Sequence, residues 1–416
     1  MAPERWLART VRALALVVFA TLATASAAHA LRIVNYNVLN YPSVNLAGRQ
    51  PHFRTVFAPL GADIVVVQEM LSQAGVDSFR TNVLNVLEPG QWDSAPFING
   101  NDTDNALFYK PAKVQFLGQW AWYPNPANLL RLVNCYRLKP VGYSAAAAEL
   151  RVYSQHLKAS TGFESQRLAE ATGIRDSMNA VPPGTHCILT GDFNIYTGSE
   201  LAFAKLLESQ ADNDGRLYDP LGAPLITWNT GSLAAIHTQS PCLTCPSGSY
   251  ASGGLDDRFD MFLPTYNWND GEGLDLLVAT YKPVGNDGQH YNMDINAAPV
   301  IPEGQAYADA LWWASDHLPV RVDLQLPAKI SVPATLPFGS VIVGATATQN
   351  LSVSNPATVP ADELDYTLAA DPGFSAPGGP QTLNAGAPAA SHAIGMDTGT
   401  SGVKGGFLLV SSDAPD

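Results

Sequence analysis

Cysteine is scarce in this chain, four residues in 416. Only Cys242 and Cys245 stand in a C-x-x-C arrangement, and no second pair completes a structural zinc site. The surrounding Ser240-Pro241 and Pro246-Ser247-Gly248 make a turn-rich loop without thioredoxin-like context, so a small local disulfide is expected there. Cys187 falls in an apolar strand-like run and reads as a buried thiol; Cys135 could pair with it, and spacing leaves that choice open. The phosphate-cradling G-x-x-x-x-G-K loop and the G-x-S-x-G nucleophile elbow are both missing, which removes two common routes to hydrolysis. Basic side chains are also short, 23 Lys and Arg against 37 Asp and Glu for a net charge of −14, which disfavours indiscriminate, salt-labile adhesion to polyanions. The shortage is uneven. From Asn105 to Ser160 the only acid is Glu149, set against Lys110, Lys113, Arg131, Arg137, Lys139, Arg151 and Lys158. That stretch is either a basic face for a polyanion or a set of solvated strand faces.

Beyond residue 30 no apolar run is long enough to span a bilayer. Before it, Arg5, Arg9 and Arg12 precede the apolar Ala13 to Ala28, and Ala28-His29-Ala30 forms an A-x-A site. Residues 1–30 therefore read as a signal peptide cleaved after Ala30, with a retained anchor as the alternative. Export would place the protein in a secreted, periplasmic or cell-surface setting where disulfides form.

Length allows two or three domains. The mature sequence opens on a strand, Leu31 to Asn37, whose alternation puts Ile33, Asn35 and Asn37 on one face and Val34 with Tyr36 on the other. A segment with helical potential covers 48–60. Ile64 to Val67 are four consecutive apolar residues, as in a strand covered on both faces, and Glu69 closes that run. Residues 74–88 suit a helix, and strands are expected from Ala106, Val114, Leu129 and Glu149. Trp120, Trp122 and Tyr123 are either core or an exposed stacking cluster. Thr161-Gly162-Phe163-Glu164 has the form of a capping box for a helix to about Asn179. A further helix is expected over 199–210, a loop-rich stretch over 211–255, and a strand through Asp260. Gly285 to Asn292 is a polar loop that either approaches a site or orders itself. After Ala328 the texture changes to Gly, Ala, Ser, Thr and Pro with short alternating strands, as in a β-sandwich accessory module over 333–416. Its β pattern stops abruptly at Asp416, as a truncated module would, and Pro327 to Pro333 is the expected linker.

The informative stretch is Thr190-Gly191-Asp192-Phe193-Asn194, a carboxylate and a carboxamide two residues apart at the end of an apolar strand. Such groups are costly to bury unless they bind something or close a turn on themselves. Asn37, Glu69, His156, Asp260, Asp316 and His317 stand at other strand ends in the same way. Oxygen donors without cysteine suit Mg²⁺, with Mn²⁺ or Ca²⁺ as alternatives. Histidines with spare carboxylates suit proton transfer, so the set fits metal-assisted phosphoester hydrolysis.

Taken in order, V-N-Y-N, V-V-Q-E, S-Q-H, G-D-F-N, D-R-F-D and S-D-H-L-P-V resemble the endonuclease/exonuclease/phosphatase superfamily over 31–327, and a secreted bacterial branch of it in particular. The resemblance implies an α/β (α+β) fold, a four-layered sandwich of two packed mixed β-sheets flanked by helices. The tail resembles an Ig-like module of the choice-of-anchor kind, here partial, and implies attachment to a cell surface. The resemblance further implies that Glu69 holds the metal with Asn37 and Asp316 beside it. It implies that His156 and Asn194 bind the scissile phosphate with Asn37, that Asp260 orients His317, and that Asp192 positions or deprotonates water. Whether Asp192 or His317 takes the proton stays open. Many nucleases of the family carry an arginine before the strand that begins here at Ala106; this chain has Asp104-Asn105, so Asn105 or one of the later lysines would contact the phosphate.

The expected activity is that of an exported nuclease with DNA or RNA as substrate. The alternative is a phosphatase or phospholipase C-type enzyme acting on a phospholipid or inositol phosphate, with Trp120, Trp122 and Tyr123 or Trp312 and Trp313 facing a membrane. A noncatalytic adhesion protein is a third class. No stable protein partner is implied.

Overall fold

A strand that the sequence marks as alternating and one that it marks as apolar on both faces pair in parallel at the middle of a six-stranded sheet. β1 (Leu31–Tyr41) lies beside β2 (Ile64–Met70), with Ile33 opposite Ile64 and Asn37 opposite Gln68. The computed structural model describes residues 31–416, so the expected signal peptide lies outside the described residues. Between these strands the chain forms α1 (Leu46–Phe57). After β2, α2 (Gln73–Phe79) runs through a π turn, Arg80–Leu84, into the short α3 (Asn85–Leu87). The sheet is extended by β3 (Asp93–Ser94) and β4 (Asp104–Tyr109) on the β2 side.

The second sheet is built from β5 (Val114–Trp122), β6 (Val133–Pro140), β7 (Leu150–His156), β8 (His186–Asp192) and β9 (Asp260–Pro264), in that spatial order. β7 and β8 are parallel, joined by the crossover helix α4 (Glu164–Asn179), and the other neighbours are antiparallel. The capping box does not form: Phe163 occupies the N-cap, Thr161 caps nothing, and Glu164 accepts instead from the Gly162 N–H at 2.9 Å. Next come α5 (Leu201–Leu207), shorter than the pattern suggested, then β10 (Asp275–Pro283), α6 (Gln305–Ala314) and β11 (Val320–Gln325). β11 and β10 complete the first sheet on the far side of β1.

Alternation distributes the side chains into three cores. Ile33, Ile64, Val66, Leu107, Leu138, Val152 and Ile188 fill the space between the sheets. Val34, Tyr36, Val65 and Val67 pack outward on Phe53, Phe79 and Leu311 of the helices. On the other outer face, Tyr153, Cys187 and Leu189 meet Ile174, Met178 and Phe203. The result is helices, sheet, sheet, helices.

The last 88 residues add β12 (Thr348–Val353), β13 (Leu364–Ala370), β14 (Phe374–Ser375), β15 (Gln381–Leu383), β16 (Ala390–Met396) and β17 (Leu408–Ser412). They form two three-stranded sheets, β12–β16–β14 and β15–β13–β17, packed on Val353, Leu364, Tyr366 and Ile394. The expected linker at 327–333 is built into this structure. Ala328 is buried in the small core, the Asp362 N–H donates to Leu326 O at 2.8 Å, and Ser331 pairs with Ser354. Alternation of Leu326, Ala328 and Ile330 makes that stretch an apolar seam rather than a tether.

Candidate active site

Between the sheets, side chains change character toward one end. β1 passes from Ile33 to Asn35 and Asn37, β2 from Val66 to Gln68, β4 from Leu107 back to Asn105, β6 from Tyr136 back to Asn134, and β7 from Val152 to Ser154 and His156. The buried polar groups bond across the gap. Gln68 Nε2 donates to Asn35 Oδ1 at 2.9 Å and to Ser154 Oγ at 3.1 Å, and Ser154 Oγ donates to Asn105 Oδ1 at 3.0 Å. Above this layer opens a cleft of about 310 Å³ lined by Glu69, Arg131, His156, Asp192, Asn194 and His317, among others.

Backbone irregularities aim the first two acidic and amide groups. The register of β1 and β2 shifts between Asn37 and Tyr41, and Leu39, Asn40 and Glu69 take φ of 45°, 44° and 60°. These left-handed residues are strained and are found where a structure over-determines them. Here the buried guanidinium of Arg49 supplies part of that constraint, donating to the carbonyls of Leu39 at 2.8 Å, Val44 at 3.1 Å and Ala314 at 2.8 Å. The Glu69 carboxylate then accepts from Asn37 Nδ2 at 3.0 Å and from the Asn40 N–H at 2.9 Å.

Asp192 is the hub. Its Oδ2 accepts from Asn37 Nδ2 at 3.1 Å and lies 3.3 Å from His156 Nε2 and 3.6 Å from His317 Nε2; its Oδ1 accepts from the Asn194 N–H at 3.0 Å. Burial pushes its carboxyl up to about 7, with Asp260 and Glu69 adding to the rise and His317 opposing it. His317 Nδ1 stands 2.7 Å from Asp260 Oδ2. Burial works against a charge on that imidazole, but Asp260 and Asp192 outweigh it and hold the group well above the ordinary histidine value. His156 goes the other way. Burial, then Arg131 and His317, keep it well below, so it is neutral at pH 7. Asp316 is raised by burial and by Glu69, while its Oδ2 accepts from the Ala251 N–H at 2.7 Å.

Sequence reasoning and structure part company at several residues. Asn105 does not reach the cleft. Its Nδ2 donates to Leu132 O at 2.8 Å and Asn134 Oδ1 at 3.2 Å, because alternation on β4 turns it into the layer beneath. Asn37 offers its nitrogen to the carboxylates, and its Oδ1 is taken by the Leu39 N–H at 3.0 Å. The basic stretch is partly paired: Lys110 lies 2.8 Å from Glu88 and Arg131 3.0 Å from Asp102, both acids outside it, and Arg137 lies 2.8 Å from Glu149 within it. The Gly285 to Asn292 loop orders itself, with buried His290 between Asp287 and the Ala297 carbonyl. Trp120 and Trp122 are on β5, edge-on to Tyr153, and Trp312 donates to Asp294 at 3.0 Å.

Two residues at the cleft were not singled out from sequence. Arg131 precedes β6 in the loop, donates to Leu157 O at 3.1 Å, and is the guanidinium nearest His156. It stands among apolar residues in Leu129-Leu130-Arg131-Leu132, and that isolation was a usable signal. Gln239 Nε2 lies 2.7 Å from His317 Nε2. An amide donor there suits a neutral imidazole, and a half turn of the amide presents Oε1 to an imidazolium, the form the surrounding carboxylates favour. The loop that follows carries the Cys242–Cys245 disulfide, and Cys135 and Cys187 are free and buried.

The donor set fits a hard divalent cation. Ligand atoms of Glu69, His156 and Asp192 lie within 4.8 Å of one another, and Asp192 and Asp316 are pushed up by burial first, with the Glu69 carboxylate adding to both, a rise that a cation would oppose.

No family model matches the chain, and no curated protein matches it in sequence. Among solved structures it is similar to TDP2 from D. rerio complexed with a single strand DNA product, at 15% identity, covering 71% of this chain and 98% of that one, with a TM-score of 0.48. It is similar to the human Nocturnin catalytic domain with bound sulfate anion, at 14% identity, covering 71% and 94%, with a TM-score of 0.45. A third is an endonuclease/exonuclease/phosphatase family protein from Bacteroides thetaiotaomicron, at 14% identity, covering 71% and 97%, with a TM-score of 0.43.

Proposed function

We propose that the chain is a divalent-metal-dependent phosphodiesterase, a nuclease acting on DNA or RNA, exported by residues 1–30. In this reading 31–327 is the catalytic domain and 333–416 an Ig-like module for surface attachment. The observation that carries the chemistry is the meeting of Glu69, His156, Asp192, Asn194 and His317 in one cleft from separate strands, with Asp260 behind His317. The six motif resemblances of the sequence point the same way.

Glu69 and Asp316 would hold Mg²⁺, with Asn37 bracing Glu69 and Asp192. The ion, when bound, polarises a phosphoryl oxygen and neutralises charge on the leaving oxygen. The remaining roles follow from protonation and reach. His317, held protonated by Asp260 and Asp192, is a donor to the phosphate and a poor base. Asp192, poised near 7 and fixed by the Asn194 N–H, accepts the proton of the attacking water. Neutral His156 and the Asn194 carboxamide bind non-bridging oxygens. Arg131 stands where a phosphate-clamping guanidinium is needed, which replaces Asn105 in that role.

The test uses the chain freed of residues 1–30, with plasmid DNA, RNA, sphingomyelin and a phosphomonoester in Mg²⁺, with and without chelator. Chelator-sensitive cleavage of DNA or RNA is expected. Activity confined to lipid would replace nuclease with phospholipase, and no hydrolysis at all would remove the enzyme reading. Asp192→Ala and His317→Ala should each lower turnover by about 10²–10⁴-fold with circular dichroism unchanged; a near-normal rate takes that residue out of the mechanism.

A further inference from the structure

Gln239 has no part in the chemistry above, yet it covers the nitrogen of His317 that the chemistry needs. His317 Nδ1 is committed to Asp260 at 2.7 Å, which leaves Nε2 as the group available to a substrate. Gln239 Nε2 sits 2.7 Å from that atom. A phosphate oxygen that accepts from His317 Nε2 must displace the carboxamide.

The backbone of Gln239 is fixed. Its N–H donates to Asp257 O at 3.1 Å, and its carbonyl accepts from the Asp256 and Asp257 N–H groups at 3.0 and 2.9 Å. On either side, Thr238 O accepts from Leu318 N–H at 2.7 Å and Ser240 N–H donates to Gly254 O at 3.0 Å. The side chain is half-buried, lines the same cleft as Glu69 and Asp192, and makes no other hydrogen bond among the described residues. Its freedom is therefore confined to rotation about its own bonds. A carboxamide that swings away from Nε2 on so fixed a stem stays within reach of whatever replaces it.

We propose that Gln239 is a phosphate-contacting residue that yields His317 Nε2 to the substrate and binds the same phosphate. This rests on the phosphoesterase reading above. In the free enzyme the carboxamide holds the imidazole against Asp260. When substrate arrives it passes Nε2 to a non-bridging oxygen and donates its own Nε2–H to the same phosphate.

The experiment measures binding of inorganic phosphate by calorimetry, together with KM and kcat on a phosphodiester and a phosphomonoester. Gln239→Leu should weaken phosphate binding and raise the diester KM by about tenfold or more, the loss expected for a bond to a charged acceptor. Gln239→Glu should weaken both by about 100-fold through repulsion of like charge. A purely structural residue would lower thermal stability and leave phosphate affinity alone. Should the leucine variant fail to fold, Gln239→Asn carries the comparison, with an intermediate loss expected. Phosphate affinity within twofold of the unmutated protein in either variant overturns the proposal. Phosphate binding that depends on Gln239 in a protein that cleaves no diester keeps the contact and sinks the phosphoesterase reading. Absence of phosphate binding by the unmutated protein sinks both.

Discussion

Replacing Arg131 with methionine removes the guanidinium and keeps most of the aliphatic stem. In the structure Arg131 Nε is 3.0 Å from Asp102 Oδ2, and Nη1 donates to Leu157 O at 3.1 Å. Nη2 makes no hydrogen bond to any described residue, and the side chain lines the cleft beside His156. Nη1 is thus anchored by a hydrogen bond, Nε faces Asp102 as an ion pair without one, and Nη2 is left for the substrate. A hydrogen bond to a charged acceptor contributes about 1.5–3 kcal/mol, which corresponds to a fall in kcat/KM of about 10–150-fold. The stability cost should be much smaller. The Asp102 partner is over a third exposed, so the pair contributes at most about 1 kcal/mol. Arg131→Lys should behave almost as badly as methionine, because an ammonium cannot hold Asp102, Leu157 O and a phosphate in one geometry. Asp102→Asn keeps the guanidinium of Arg131 and loosens its anchor, so a loss of only a few-fold is expected. The assay is steady-state cleavage of a short labelled oligonucleotide in Mg²⁺ alongside urea unfolding. If Arg131→Met keeps kcat/KM within threefold of the unmutated protein, the clamp is elsewhere and the charge argument fails.

Two further perturbations test the scaffold. Gly191 has φ 135°, and a Cβ there would stand 1.9 Å from Gln155 O on the neighbouring strand. Gly191→Ala should cost about 3 kcal/mol or more in urea unfolding and displace Asp192; a loss below about 1 kcal/mol refutes the close approach. Buried Arg258 is paired with Asp219 through two bonds of 2.7 Å, which outweigh burial and hold that carboxyl below its ordinary value. A depressed folded-state value gives stability present above the unfolded carboxylate range and lost as pH falls through the depressed one. Arg258→Met leaves Asp219 buried with only the Leu221 and Ala223 N–H groups as partners, so its folded-state value rises and the variant loses stability as pH climbs. Unfolding at pH 7 should show a loss of about 3–5 kcal/mol that shrinks toward pH 4; a gap that widens on acidification reverses the sign and refutes the pairing.

Much of the architecture is legible in residue order, for a physical reason. Ile64 to Val67 have no polar alternation, so only a strand covered on both faces accommodates them, and Ile64 and Val66 do face one core while Val65 and Val67 face another. The polar strand ends were legible for the complementary reason, since Asp192 and Glu69 interrupt apolar runs at a cost that calls for partners. What sequence does not carry is the direction of a side chain in a loop. Arg131 was visible only as one cation among seven, and Gln239 as one residue of a loop-rich stretch. Their positions depend on Asp102, Leu157, Asp257 and Gly254, none of them adjacent in sequence. Asn105 failed for the opposite reason. It was placed by analogy with an arginine position, whereas strand alternation already assigned it to the inner face of β4.

That inner face also explains why the site sits where it does. Two sheets packed through aliphatic side chains can slide, because the hydrophobic effect has no direction. Asn35, Gln68, Asn105, Asn134 and Ser154 remove that freedom. Each buried amide left without a partner costs about 1–3 kcal/mol, so a shift of one sheet against the other would break several bonds together. Gln68 is the tie, donating to Asn35 in its own sheet and to Ser154 in the other. Glu69 follows it directly at φ 60°, and His156 follows Ser154 by two residues. The same bonds that set the sheets in register therefore set the distance between a carboxylate on one sheet and an imidazole on the other. Side-chain geometry held across two sheets needs such a layer directly beneath it, and a purely aliphatic interface would leave that geometry to packing alone.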